Sequence, residues 1–309
     1  MTTGSTRAVY AALFGNLGIA ITKFIAAAIT GSASMWAESY HSASDTVNQI
    51  LLLLGIRLSK KPATDLHQFG FGKSQFFWSF IVATMIFGIS GILSLEQGFS
   101  SLLGEEHDFE NPMINYIVLT IAATFEGNAL RIALTQFKKP IMARGEKIGF
   151  SNLYTEFKNS KDTSILTVIV EDTAALLGIG VAAIGILLTD ITGNTQFDAI
   201  SSIIIGSLLM AFAFFLAKEN RGLLLGESIS EEQKRNIISV VTAIPEVHKV
   251  VAMKTMHLSP ITVIVGIEVN LIDGLDTDKI ESITDLVEQQ IMTILPMTKK
   301  EYISVEIER

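Results

Sequence analysis

Ala33-Ser-Met-Trp-Ala-Glu38-Ser-Tyr-His41-Ser-Ala-Ser-Asp45-Thr-Val-Asn48-Gln-Ile-Leu-Leu-Leu-Leu-Gly55 is the stretch that decides the fold. It is long enough to cross a bilayer as a helix, which takes about 20 mostly apolar residues because no water satisfies backbone groups in the hydrocarbon core. Yet it carries Glu38, His41 and Asp45 at spacings of three and four, with Asn48 one turn further on. That spacing stacks the three ionisable groups on one helical face. Such groups inside a span are costly and usually face a polar cavity or a functional path. An imidazole and two carboxylates on one stripe suit a divalent transition metal, whose lost hydration shell their donors replace. A buried polar network joining helices is the structural alternative, and three such groups on a single stripe favour the metal.

Working outward, five further stretches meet the same length criterion, so that the spans run roughly over 8–30, 33–57, 75–103, 113–137, 163–189 and 196–217. The composition of the 309-residue chain agrees: 49% hydrophobic, 17% charged and a mean hydropathy of +0.45. A net charge of −8 gives no overall basic footprint, which excludes nucleic acid as a partner. Zero cysteines exclude disulfides, thiolate metal sites, cysteine nucleophiles and iron–sulfur clusters, leaving His, Asp and Glu to hold any metal. Met1 to Arg7 carries no cleavable signal pattern, and the first span is expected to stay in the mature protein.

Basic residues are retained in cytoplasmic loops, and here they partition cleanly. Arg57, Lys60, Lys61 and Lys73 lie between the second and third spans, and Lys138, Lys139, Arg144, Lys147, Lys158 and Lys161 between the fourth and fifth. The opposite loops, Gly31–Ser32, Gly104–Asn111 and Asp190–Gln196, contain no Lys or Arg. Both termini therefore face the basic side, the cytoplasm of a bacterial cell. The absence of an Arg-rich transit peptide favours the bacterial inner membrane over an organelle.

After the sixth span the character changes, and the domains are expected to be 1–217, in the membrane, and 218–309, in the cytoplasm. Ser230 with Gln233 reads as a capping box opening a helix over 230–243. Val250–Leu258 and Thr262–Leu271 flank a Ser259-Pro260 turn and read as a hairpin. Asp276 caps a second helix to about 293, and Tyr302–Glu308 alternates as a last strand. The fold class is an α-helical membrane protein of six transmembrane helices followed by a small α+β domain of order α-β-β-α-β.

Elsewhere in the spans, Glu171 and Asp172 are adjacent in the fifth and differ by about 100° around a helix. One is expected to face the path, the other a neighbouring helix or a proton-handling role. In the fourth span Arg131 calls for an acid partner, and Glu126, Asn128 and Arg131 read as a structural or gating network rather than as ligands. Lys23 and Asn16 in the first span take the same reading. Lys139–Lys161, with Phe150, Tyr154 and Phe157, suggests an amphipathic cytoplasmic helix. The acidic loop Glu105–Glu110, with its His107, is a candidate attractor for cations leaving on the far side.

Glu38-x-x-His41-x-x-x-Asp45 followed by His67-Gln-Phe-Gly-Phe-Gly-Lys73 resembles the cation diffusion facilitators, as do the six spans and the α-β-β-α-β tail. Glu171-Asp-Thr-Ala-Ala-Leu-Leu-Gly178 is similar to the branch of the mitochondrial zinc transporter 9. The resemblance implies a homodimeric exporter that exchanges zinc or a related divalent ion for protons at a tetrahedral site on the second and fifth spans. His41 and Asp45 match one ligand pair and Asp172 one member of the other, whose partner falls on Val168, which cannot bind metal. Water, Glu171 or Glu38 are the candidates for the fourth position.

The same resemblance places a second metal site in the loop after the second span. His67 and Asp65 remain there, but the second His position is Phe71, so that site is expected to be weak or lost. Gly70 and Gly72 are expected to shape the turn into the third span, and Lys73 to make a cytoplasmic salt bridge. In the tail, His248, Glu268, Glu306 and Glu308 match ligand positions of the family, ordinary surface acids being the favoured reading; His257 is expected to be solvated.

The expected function is export of a divalent cation, zinc first and iron(II), manganese or cobalt as alternatives, with protons and the lipid bilayer as the other partners. A non-transporting metal- or partner-binding protein of the same fold is the alternative. No GxxxxGK[ST] loop is present to drive ATP-dependent pumping, and no HExxH-type site or nucleophile points to an enzyme.

Overall fold

The computed structural model describes residues 3–104, 111–296 and 298–308, with side chains described from Gly15 onward except those of Phe87 and Asn159. The acidic loop at 105–110, with His107, lies outside the described residues. Long apolar runs become long helices: α1 (Thr3–Thr30), α2 (Ala33–Ser59), α3 (Ser74–Met85) continuing through a π-helical segment (Ile86–Gly91) into α4 (Ile92–Leu103), and α5 (Pro112–Phe137). Two short helices, α6 (Lys139–Ala143) and α7 (Phe150–Asn159), precede α8 (Thr163–Thr192) and α9 (Gln196–Leu225). The six spans expected from sequence are six such helical units.

Four stretches, Ser74–Leu103, Pro112–Ala143, Thr163–Thr192 and Gln196–Leu225, are long and apolar enough by themselves to cross a membrane. The described part of α1 adds a shorter apolar run, Gly15–Thr30. α2 is as long as its neighbours but is diluted by the polar stripe, which it buries within the bundle rather than showing to lipid. α1 and α2 form a hairpin around Gly31–Ser32; α2 packs on α3, α8 and α9, and α8 on α5 and α9.

The start of α2 is held across the bundle. Ser32 caps it by accepting from the Met35 amide at 3.2 Å. Asp198, at the start of α9, accepts from Ser32 Oγ at 3.0 Å, the Ala33 amide at 2.5 Å and the Ser34 hydroxyl. A carboxylate at a helix N-terminus satisfies amides that have no intrahelical partner and complements the dipole.

The tail follows the expected order: α10 (Glu231–Thr242), β1 (Val247–His257), β2 (Val263–Leu271), α11 (Thr277–Ile294) and β3 (Ile303–Glu308). The Ser230/Gln233 capping box and the Asp276 cap are both formed. β1 pairs antiparallel with β2, and β2 parallel with β3. Alternate residues of β2, Val263, Val265, Ile267 and Val269, bury against Ile237, Val241, Val287 and Ile291 of the helices. In place of one amphipathic helix, 139–161 forms α6 and α7. Leu153 and Phe157 of α7 pack inward, with Phe157 stacked on Phe215 at 5.8 Å, while Phe150 and Tyr154 are exposed.

The membrane helices and the tail meet at a seam. Lys161 Nζ lies 2.5 Å from Glu227 Oε1, and Phe69 and Tyr302 rings are 6.1 Å apart. Gly70 takes a left-handed φ of 74°, as a turn there requires. Gly72 packs directly on the Leu258 carbonyl, where a side chain would collide. Lys73 reaches the Leu224 carbonyl at 3.3 Å and Met256 Sδ at 3.6 Å; its described partners are these rather than the carboxylate expected.

Candidate metal site

The stripe on α2 points inward as the periodicity requires. Glu38, His41, Asp45 and Asn48 are all buried, with His41 only 1% exposed. Glu38 Oε2 is 2.7 Å from Lys23 Nζ of α1, both side chains fully desolvated. Its other oxygen abuts Gly178 of α8, where a methyl group would strike it. Glu38 is therefore ion-paired and wedged between three helices. Two desolvated charges stabilise one another only in such close geometry.

His41 is in a different position. Neither ring nitrogen has a hydrogen-bond partner, and Nδ1 lies 3.5 Å from Asp45 Oδ1, close but not aligned for a hydrogen bond. A fully buried imidazole with both nitrogens unengaged is unusual, since buried polar groups are normally paired. Asp45 Oδ1 and Asp172 Oδ2 are likewise unpartnered. On α8 the two adjacent acids diverge: Glu171 Oε1 accepts from Asn48 Nδ2 at 2.8 Å, tying α8 to α2, whereas Asp172 keeps a free oxygen. The Asn48–Glu171 hydrogen bond sets the turn of α2 that follows Asp45 against the turn of α8 that carries Asp172.

His41, Asp45, Asp172 and Glu171 thus come to one region between α2 and α8, and Glu38 lies beside it, held by Lys23. Val168 is packed against the apolar core of the bundle. Among the described residues no three His, Asp or Glu side chains converge tightly enough to surround an ion in this conformation.

Lys23 takes the structural role expected of it, with Glu38 as the partner the sequence analysis did not name; the signal was available, because the residues stand eight before and seven after Gly31 and a tight turn there brings them face to face. Asp198, which anchors the first turn of α2, had no local signal. Arg131 departs from expectation, because it is exposed while Glu126 is buried and turned into the bundle. An arginine near a helix end can extend its charged head toward water, leaving the acid behind.

The peripheral candidates are dispersed. His67 and Asp65 are exposed, and the His67 ring lies on Phe71 at 4.5 Å. His248 is exposed; Glu268 and Glu306 sit side by side on β2 and β3 with Lys254, lining a depression of about 130 Å³, and Glu308 pairs in register with Asn270. His257 is not solvated. It is buried at the seam, with Nδ1 3.3 Å from the Ser259 carbonyl and its amide donating to the Glu227 carbonyl at 3.0 Å. Burial lowers its pKa and keeps it neutral.

The class of protein follows: residues 9–225 match the cation efflux transmembrane domain, and the chain belongs to that family, the cation diffusion facilitators. Its relatives include the mitochondrial proton-coupled zinc antiporter SLC30A9 of Mus musculus, 35% identical over 236 residues, 76% of this chain and 41% of that one. Metal tolerance protein C4 of Arabidopsis thaliana is 30% identical over 76% of this chain and 50% of its own. The cation-efflux pump FieF of Klebsiella pneumoniae is 24% identical over 94% of this chain and 89% of its own. The chain spans about two fifths of the length of the mouse relative.

Proposed function

We propose that the protein exports a divalent metal cation, zinc before iron(II), manganese or cobalt, in exchange for protons, with the ion held between α2 and α8. The observation that carries this is His41: a buried imidazole with both nitrogens free, beside Asp45 on the helix that packs against the helix of Asp172. His41, Asp45 and Asp172 are the donors, with Glu171 or water at the fourth position. Glu38, paired with Lys23, sets the charge beside the ion and is a ligand only if that pair opens. Metal ligands bind in their deprotonated forms, so protons arriving at His41 or a carboxylate loosen the ion and drive its release. The names of the zinc antiporter and the efflux pump among the relatives support the substrate class.

The proposed organisation has the membrane domain over 1–217 and the cytoplasmic domain over 218–309, with the last turns of α9 projecting beyond the bilayer. The basic loops support both termini on one, basic side of the membrane, which in a bacterial inner membrane is the cytoplasmic side. The family supports a homodimer, and the relatives' names support a transporter rather than an enzyme.

A second reading is a metal- or partner-binding protein that does not transport, favoured by the apolar Val168 at a ligand position. Metal uptake into proteoliposomes of the purified protein under an imposed pH gradient separates the two. Zinc flux that is lost in D45A/D172A is the expected result. Folded, inserted protein giving no flux for zinc, manganese, iron(II) or cobalt would support the second reading.

A further inference from the structure

The fourth span carries a carboxylate that the site just described does not use. Glu126 of α5 is 7% exposed. It makes no hydrogen bond or ion pair to any described residue, and Arg131 is turned away from it. It belongs to the buried stripe Asn115, Val118, Leu119, Ala122 and Glu126, on a helix that packs against α8 and α1.

Glu126 stands eleven residues before the end of α5 and Asp172 nine after the start of α8, so these two consecutive, packed spans carry the two acids at about the same depth. The buried cation nearby, Lys23, is already engaged by Glu38. Several carboxylates share a desolvated region with one committed cation, an arrangement that repels itself at low dielectric until a further positive charge enters. The unpartnered nitrogens of His41 mark where that charge is wanted.

We infer that Glu126 binds the transported cation directly, supplying from the fourth span the donor that Val168 does not supply from the fifth. The inference rests on the site proposed between α2 and α8 and extends it to a third helix. An oxygen in place of a nitrogen makes the donor set harder and widens the range of ions accepted toward iron(II) and manganese.

The test is equilibrium zinc binding to the purified full-length protein, with thermal melts of the same samples with and without zinc. E126Q is expected to weaken zinc binding by about 10- to 100-fold, at least what removing an outer partner of a ligand does. Its metal-free melting temperature is expected to equal or exceed that of the wild type, because a buried carboxylate without a described hydrogen-bond or ion-pair partner has been replaced by a neutral amide, while the rise on adding zinc shrinks. V168H/E126Q, which restores an imidazole donor on α8, is expected to recover most of the affinity.

Wild-type affinity in E126Q with loss in D45A/D172A would overturn the role of Glu126 and leave the two-helix site standing. Unchanged binding in D45A/D172A would overturn the underlying site itself. A metal-free melting temperature that falls in E126Q, with the zinc-dependent rise intact, would make Glu126 a structural residue and overturn the inference without recourse to V168H.

Discussion

The tail domain and the membrane bundle bury polar groups by opposite rules. In the tail, alternating β-branched residues of β2 meet two helices over an apolar core, and a buried hydroxyl such as that of Thr298 accepts from the Val263 amide at 3.2 Å. In the bundle, the middle of α2 is polar and much of it is unsatisfied: both nitrogens of His41, Asp45 Oδ1 and, across from it, Asp172 Oδ2. A folded protein tolerates such groups only where something else stabilises the whole. Here the Lys23–Glu38 pair and the Asp198 anchor hold α2 from either side, while the residues between them remain available. The tail is built for stability and the centre of the bundle for binding.

The sharpest break of this contrast comes at Lys23. K23M leaves Glu38 as an uncompensated buried charge and is expected to destabilise the protein by about 3–5 kcal/mol, whereas K23M/E38Q recovers most of that loss. Melting in detergent micelles reads both, and a harmless K23M would mean that the pair is not a strut. D198A removes the shared acceptor at the start of α2 and is expected to cost about 1–3 kcal/mol, the range for a lost cap or an orphaned buried donor. The same melts check it; zinc binding should weaken alongside, because the helix carrying His41 and Asp45 loses its fixed end.

The smallest effect belongs to the tail. His257 has its folded pKa below the ordinary value of 6.5, so its neutral form stabilises the fold above that pH, and the contribution is lost as pH falls through it. H257Q is therefore expected to flatten the decline in melting temperature between pH 7 and pH 5. An unchanged slope would place the acid sensitivity elsewhere.

What was legible in the sequence tracks how local each cause is. Helix positions follow from the length of apolar runs, and those runs predicted six helical units within a few residues at most ends. The Ser230/Gln233 capping box, the Asp276 cap and the hairpin of β1 and β2 are decided by residues close in sequence, and all formed as expected. Stripe geometry on α2 was equally local, so the inward face of Glu38, His41 and Asp45 was readable. Partners across the bundle were not: Asp198 reaches α2 from more than 160 residues away. The Lys23–Glu38 pair is the exception, since the near-equal distance of both residues from Gly31 points to it. The π-helical segment after α3 and the burial of His257 at the seam likewise depend on packing between elements. Val168 is the converse: its chemistry was plain in the sequence, and the structure adds that it packs against the apolar core of the bundle.

The most direct measurement is the X-ray absorption spectrum of the zinc-loaded full-length protein beside that of H41A. A metal held between α2 and α8 gives a first shell of nitrogen and oxygen donors with scattering from one imidazole, and that imidazole signature disappears in H41A. A spectrum showing two or more imidazoles, or one that H41A leaves unchanged, would contradict the site.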